Sequence, residues 1–290
     1  MFLIHFVMCT VPSGGSLNLS ALSLTQVIPS QGVVRYAVTS LGDEVFVAFH
    51  NSQHIQVYDA GSFTLQRRLT VPELYSSCYG LAACVSNNCL YASDWQSSSI
   101  HRVDLSGSNA VNTWSVATTP VGLSLNKAHN VVVTCQVVNK LQEYTTYGTL
   151  VGEISLQQTG VTHPWHAVQL STGNYVVSFT SQAAGVVIVV GVDGQVIHRC
   201  DQSTSNVMQT SNLRSLAVTK NNDILVADLS NRIVSINSSL SSIEALALSV
   251  DGGIKQPIGL YLDESRRRLY VSEGSGTRVL VFESMDVNRG

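Results

Sequence analysis

The stretch Leu90-Tyr-Ala-Ser-Asp94-Trp-Gln-Ser-Ser-Ser-Ile100-His-Arg-Val103-Asp104 reads as an alternating strand, a short polar turn and a second alternating strand returning beside the first. The phrase recurs as Leu269-Tyr-Val-Ser-Glu273 followed by Arg278-Val-Leu-Val-Phe282, and as Leu225-Val-Ala-Asp228-Leu-Ser-Asn-Arg232-Ile-Val-Ser-Ile236. Weaker copies are Val45-Phe-Val-Ala-Phe49 with Ile55-Gln-Val-Tyr58, Val131-Val-Val-Thr-Cys135 with Leu141-Gln-Glu-Tyr144, and Tyr175-Val-Val-Ser-Phe179 with Val186-Val-Ile188. The residues closing the first strand of each copy are Phe49, Asp94, Cys135, Phe179, Asp228 and Glu273, spaced 45, 41, 44, 49 and 45 residues apart. A period in the forties matches one four-stranded propeller blade, and paired helices would not alternate in this way. Six copies predict six blades.

Working outward, each phrase is preceded by a strand rich in small residues: Tyr36-Ala-Val, Gly80-Leu-Ala, Gly122-Leu-Ser, His166-Ala-Val, Ser215-Leu-Ala and Gly259-Leu-Tyr. Small side chains suit innermost strands, which converge on a central axis. Between these strands and the phrase lie segments rich in Gly, Asn, Asp and Ser, such as Ser171-Thr-Gly-Asn174 and Lys220-Asn-Asn-Asp223, as tight hairpins require. A fourth, outer strand follows in five blades: 63–71, 110–116, 150–156, 195–199 and 243–248. The sixth phrase has no such strand after it, whereas Leu17-Asn-Leu-Ser-Ala-Leu-Ser-Leu24 alternates without a blade of its own. Pairing the two completes the last blade and shuts the ring, which removes an unpaired edge. The expected fold is all-β: a six-bladed β-propeller over residues 17–284, after a poorly structured segment 1–16 and before a tail 285–290.

Hydrophobic residues make up 44% of the 290 and charged residues only 12%, which predicts a sizeable core rather than disorder. A net charge of −3 gives no pull toward DNA or an anionic membrane. Residues 1–8 are mostly apolar like the core of a signal peptide, but no basic start precedes them and no small-residue cleavage site follows, and they are read as a truncated or mispredicted start with secretion left open. The six cysteines are too sparse for a disulfide framework and lack paired C-x-x-C spacing. Cys84 and Cys89 bracket one hairpin turn and face each other across it, read here as free thiols in a cytoplasmic protein.

At the level of the phrase the chain resembles NHL-repeat propellers. Their pattern is a Pro-x-Gly-Leu/Ile entry, then Leu-x-Val-Ala-Asp, then a loop carrying Asn and Arg-Ile. Pro257-Ile-Gly259-Leu with Leu269-Tyr-Val-Ser-Glu273 and Arg278-Val279 is similar to it, as is Leu225-Val-Ala-Asp228 with Asn231-Arg232-Ile233. Pro120-Val-Gly122-Leu and Pro164-Trp-His-Ala-Val168 match the entry, while blade four lacks both the acid and Arg-Ile. The resemblance implies six blades and a recognition role. In tripartite-motif relatives such propellers select substrates for ubiquitin ligation or bind RNA, although the RING and B-box zinc ligands of those proteins are absent from this chain. Blade two, with Leu90-Tyr-Ala-Ser-Asp94-Trp95, also looks like the Tyr-Trp-Thr-Asp repeat of extracellular receptor propellers. That is the alternative, and it too implies six blades.

Chemistry is sparse. Asp94, Asp228 and Glu273 are read as turn fasteners, Asp228 having Arg232 within reach; the other copies carry Phe or Cys, so the acids form no ring. His163-Pro-Trp-His166 is the one tight histidine pair, and some NHL-type lyases hold zinc near the channel. A metal needs a further ligand from another blade, so no metal, cofactor or catalytic residue is expected. A metal-dependent lyase or hydrolase is the enzymatic alternative. The loops that enter the inner strands and those joining second to third strands meet at one end of the channel. They carry the expected ligand-binding rim: Arg35, Tyr79, Trp95, Trp165, His166, Arg214, Arg232 and Arg278. The expected partner is a protein, with RNA second, bound by a monomeric, non-catalytic propeller.

Overall fold

Among the described residues, twenty-four strands form six four-stranded antiparallel sheets in a ring, a six-bladed β-propeller. The computed structural model describes residues 17–29, 37–49, 51–74, 78–181, 184–275 and 278–284. In chain order, blade one holds Ala37–Leu41, Glu44–Ala48, His54–Asp59 and Leu65–Thr70. Blade two holds Leu81–Cys84, Cys89–Asp94, Ser99–Asp104 and Val111–Ser115, and blade three Pro120–Leu125, Val131–Cys135, Lys140–Tyr144 and Leu150–Ser155. Blade four holds His166–Gln169, Tyr175–Ser181, Ala184–Val190 and Val196–Cys200; blade five holds Leu213–Val218, Ile224–Asp228, Arg232–Ile236 and Ile243–Ala245. Blade six holds Pro257–Asp263, Arg268–Glu273 and Arg278–Ser284, and its outer strand is Leu22–Pro29 from the start of the chain. Leu22 pairs with Ser284 and Pro29 with Arg278, so the ring closes as the sequence implies.

The closing strand begins later than the alternation at Leu17–Leu24 suggests. Asn18 diverts the chain first: its Oδ1 accepts from the Ser20 amide at 3.1 Å and the Ser20 hydroxyl at 2.7 Å, holding Leu19–Ala21 in a 3₁₀ turn. The middle strands also depart from simple alternation. Each sheet stands on edge between two neighbours, so both faces are covered, and Val131–Cys135 and Ala184–Val190 are buried at every position. Outer strands keep polar, exposed positions, as in Leu65–Thr70.

The core is correspondingly divided into six apolar layers, one per blade interface. Phe46 and Ile55 of blade one meet Leu81 and Leu90 of blade two. Tyr91 and Ile100 then meet Leu123 and Val133. The last layer packs Tyr270 and Val279 of blade six against Val45 and Val47 of blade one, so closure buries as continuous a layer as any other interface. Cys84 and Cys89 are register partners, and both are buried free thiols.

Candidate functional site

Two structural devices position the loops at one end of the channel. The first is the small residue before the closing acid of the phrase. Ser93 Oγ accepts from the Gly80 amide at 2.8 Å, and Ser272 Oγ from the Gly259 amide at 3.0 Å, pinning the entry to each inner strand. The second is the acid itself. Asp94 Oδ1 accepts from the amides of Gln96 and Ser97 at 2.9 and 3.3 Å, which folds the turn carrying Trp95. Asp228 accepts from the Asn212 and Ser230 amides and pairs with Arg232 Nε at 2.7 Å. Glu273 accepts from the Lys255 amide and pairs with Arg278 Nε at 2.6 Å. These acids are fully buried fasteners, as their place in the repeat suggests.

The same geometry sorts the rim residues. Arg232 also donates to Val207 O at 2.7 Å and Ser211 Oγ at 3.1 Å, and Arg278 to Gly253 O at 2.9 Å. Both guanidinium groups thus tie turns to neighbouring segments. Arg35 lies outside the described residues. Of the remaining five, four converge and His166 lies beneath them. Arg214 Cζ lies 3.9 Å from the centre of the Trp165 ring, a cation–π contact. Tyr79 stands 6.4 Å from Trp165 and 6.2 Å from Trp95, tilted to each by 42° and 52°. Blades five, four and two therefore contribute one continuous array of a cation and three aromatic rings. Asn212 Oδ1 and Leu213 O accept from Arg214 Nη1 at 2.6 and 3.1 Å, orienting the guanidinium.

Below this array, Gly80, Gly122, Ser215, Gly259 and Ala37 occupy equivalent places at the channel wall, and blade four alone has His166 there. The imidazole fills the space its neighbours leave. Its Nε2 lies 3.0 Å from Leu123 O of blade three, and its Nδ1 accepts from the Leu216 amide of blade five at 2.9 Å. That pattern assigns the proton to Nε2, and enclosure holds the imidazole below its ordinary pKa, outweighing the two backbone contacts. A Cβ on Gly122 would stand 2.6 Å from His166 Cδ2, so glycine is required where the ring crosses. His166 is thus a neutral strut between the inner strands of blades three and five. Its partner in the sequence motif, His163, is exposed, and its backbone amide donates to Asn139 Oδ1 at 2.9 Å. Among the described residues no three His, Cys, Asp or Glu side chains are grouped to hold a metal. Burial pushes the Cys135 and Cys200 thiols up to about 11, which leaves them protonated near neutral pH.

This geometry has many relatives in shape. The chain is similar to hydrazine synthase of Kuenenia stuttgartiensis, with a TM-score of 0.67 at 17% identity over 89% of this chain and 78% of that one. It is also similar to a catalytically inactive virginiamycin B lyase of Staphylococcus aureus solved with quinupristin, at 0.66 and 14% over 89% and 83%. A streptogramin B lyase gives 0.62 and 14% over 92% and 99%. No family model matches the chain, and no curated protein matches it in sequence. What these likenesses share with the chain is the propeller.

Identities this low leave the chemistry to the residues themselves. The mouth is lined by Tyr79, Val121, Trp165, Arg214 and Ile258 around a small-residue floor, and its cavity measures only about 40 Å³. The entry residues were legible because each directly precedes an inner strand. The pinning serines were missed because one hydroxyl among many carries no sequence signal of its own.

Proposed function

We propose that this propeller is a recognition module that binds a protein ligand at the channel mouth. The observation that carries the reading is the Arg214–Trp165–Tyr79–Trp95 array, anchored on the entries of blades five, four and two and the fastened turn of blade two. Arginine, tryptophan and tyrosine dominate binding hot spots because they present large, stiff contact areas at small entropic cost. Here the rings and guanidinium already support one another, which reduces the ordering that a ligand must impose. The likeness of the repeating phrase to NHL propellers points the same way. On that likeness, the module would choose substrates for ubiquitin ligation carried out by another chain. RNA is the second ligand class, and a chain of net charge −3 gives it less electrostatic support.

The test is affinity capture from native lysate with and without ribonuclease, using wild-type, Trp165→Ala, Arg214→Ala and a control, Val85→Ser, in an exposed hairpin at the opposite end. Mouth variants are expected to weaken binding of the captured partner by about tenfold or more while the control binds normally. Equal recovery by all four chains sinks the proposal. Loss of the partner on ribonuclease treatment would move the ligand to the RNA class.

A further inference from the structure

The channel widens below its mouth. Below the shallow mouth, and sharing Val38, Leu81, Leu123, His166 and Leu260 with it, a wider chamber of about 220 Å³ runs from the imidazole toward the hairpin end, where it opens to solvent. Residues of all six blades wall this chamber, among them Val38, Ala83, Leu125, Val168, Val218 and Leu262, and among the described residues no Asp, Glu, Lys or Arg takes part. Side chains from neighbouring blades also cap backbone groups of the inner strands. Ser124 Oγ donates to Ala167 O at 2.8 Å, Tyr261 Oη to Ser40 O at 3.3 Å, and Ser215 Oγ contacts Leu260 O at 3.5 Å. His166 engages Leu123 O and the Leu216 amide in the same way. These groups are turned inward to protein partners rather than left for water.

We propose that this chamber is a binding site for one compact, uncharged, apolar molecule, of the size of a substituted single ring. An aliphatic cavity of about 150 Å³ already suffices for one benzene ring and stays dry when empty. The chamber is larger than that, and, Thr39 Oγ1 apart, its side-chain polar groups are capped and offer water few partners. A charged guest would lose its hydration without gaining a counter-ion, so the wall selects against it. Trp165 lines the mouth and not this chamber, so its removal leaves the chamber's wall intact.

The experiment titrates toluene and benzoate, equal in size but different in charge, into the full chain and follows thermal melting. Three chains are compared: wild-type, Trp165→Ala, and Ala83→Leu, which installs the residue that blades three and six carry at the equivalent place (Leu125 and Leu262) and narrows the chamber. Toluene is expected to raise the melting temperature of wild-type and Trp165→Ala in a concentration-dependent way. The shift should fall about fivefold or more in Ala83→Leu, and benzoate should give none. No response of wild-type to toluene, or an equal response from Ala83→Leu or to benzoate, overturns the proposal. If Ala83→Leu does not fold, the wild-type chain still decides. Intermolecular NOEs from toluene to the methyl groups of Val168, Val218 and Leu262 support the site, and their absence rejects it.

Discussion

His166 shows how one side chain can serve a ring of six imperfect copies. Five blades leave a gap at its level with Gly, Ala or Ser, and the imidazole closes it by bonding to backbone on both sides. Because enclosure lowers its pKa, the unfolded chain takes up a proton that the folded chain refuses. Its contribution to stability is therefore complete above the unfolded value of about 6.5 and is lost as pH falls from there toward the folded value. The slope reaches at most about 1.4 kcal/mol per pH unit. Urea unfolding at pH 7.5 and 5.5 should show this loss in wild-type, and His166→Gln should lack that part of it. Truncation is harsher. His166→Ala leaves Leu123 O and the Leu216 amide unpaired beside a new void, and should cost about 2–4 kcal/mol in urea unfolding at pH 7.5.

At the scale of the strand pair, the acid-closed turn makes a similar prediction. Asp228 is fully buried, accepts two amides and holds Arg232. Asp228→Ala should destabilise the chain by about 3 kcal/mol or more, because Arg232 and two amides lose their acceptor together. Combining it with Arg232→Leu should cost less than the two changes added, and chemical denaturation of the four chains measures the difference. The Asp228–Arg232 link was legible because both ends lie in one phrase. The period, the six blades and the outer strand of blade six were legible for the same reason: each is a local pattern repeated. The stacking of Arg214 on Trp165 was not. Those residues are forty-nine positions apart and meet only because neighbouring blades present equivalent entries side by side. That Arg232 and Arg278 also tie down turns was not legible, because composition does not show which backbone carbonyls a guanidinium reaches.

For the whole molecule, closure rests on Leu22–Pro29. Leu22 and Ile28 are buried in the layers on either side of blade six, and the strand pairs along the length of Arg278–Ser284. Removing residues 1–29 exposes that edge and withdraws apolar contacts from two interfaces. The expected loss is roughly 5 kcal/mol or more, with association through the bared strand. Calorimetry and light scattering together would register both effects, and an unchanged melting temperature would show that the ring does not depend on this strand.

The pairing of Leu22 with Ser284 has a further consequence for how such a ring can be carried. Two positions 262 residues apart in sequence sit opposite each other in one ladder. A host protein whose surface loop was opened and spliced to these two points would meet stubs already side by side, so the graft would stretch neither partner. The propeller is thereby suited to travel as an internal cassette, and its mouth would be presented in the same way whichever backbone it interrupts.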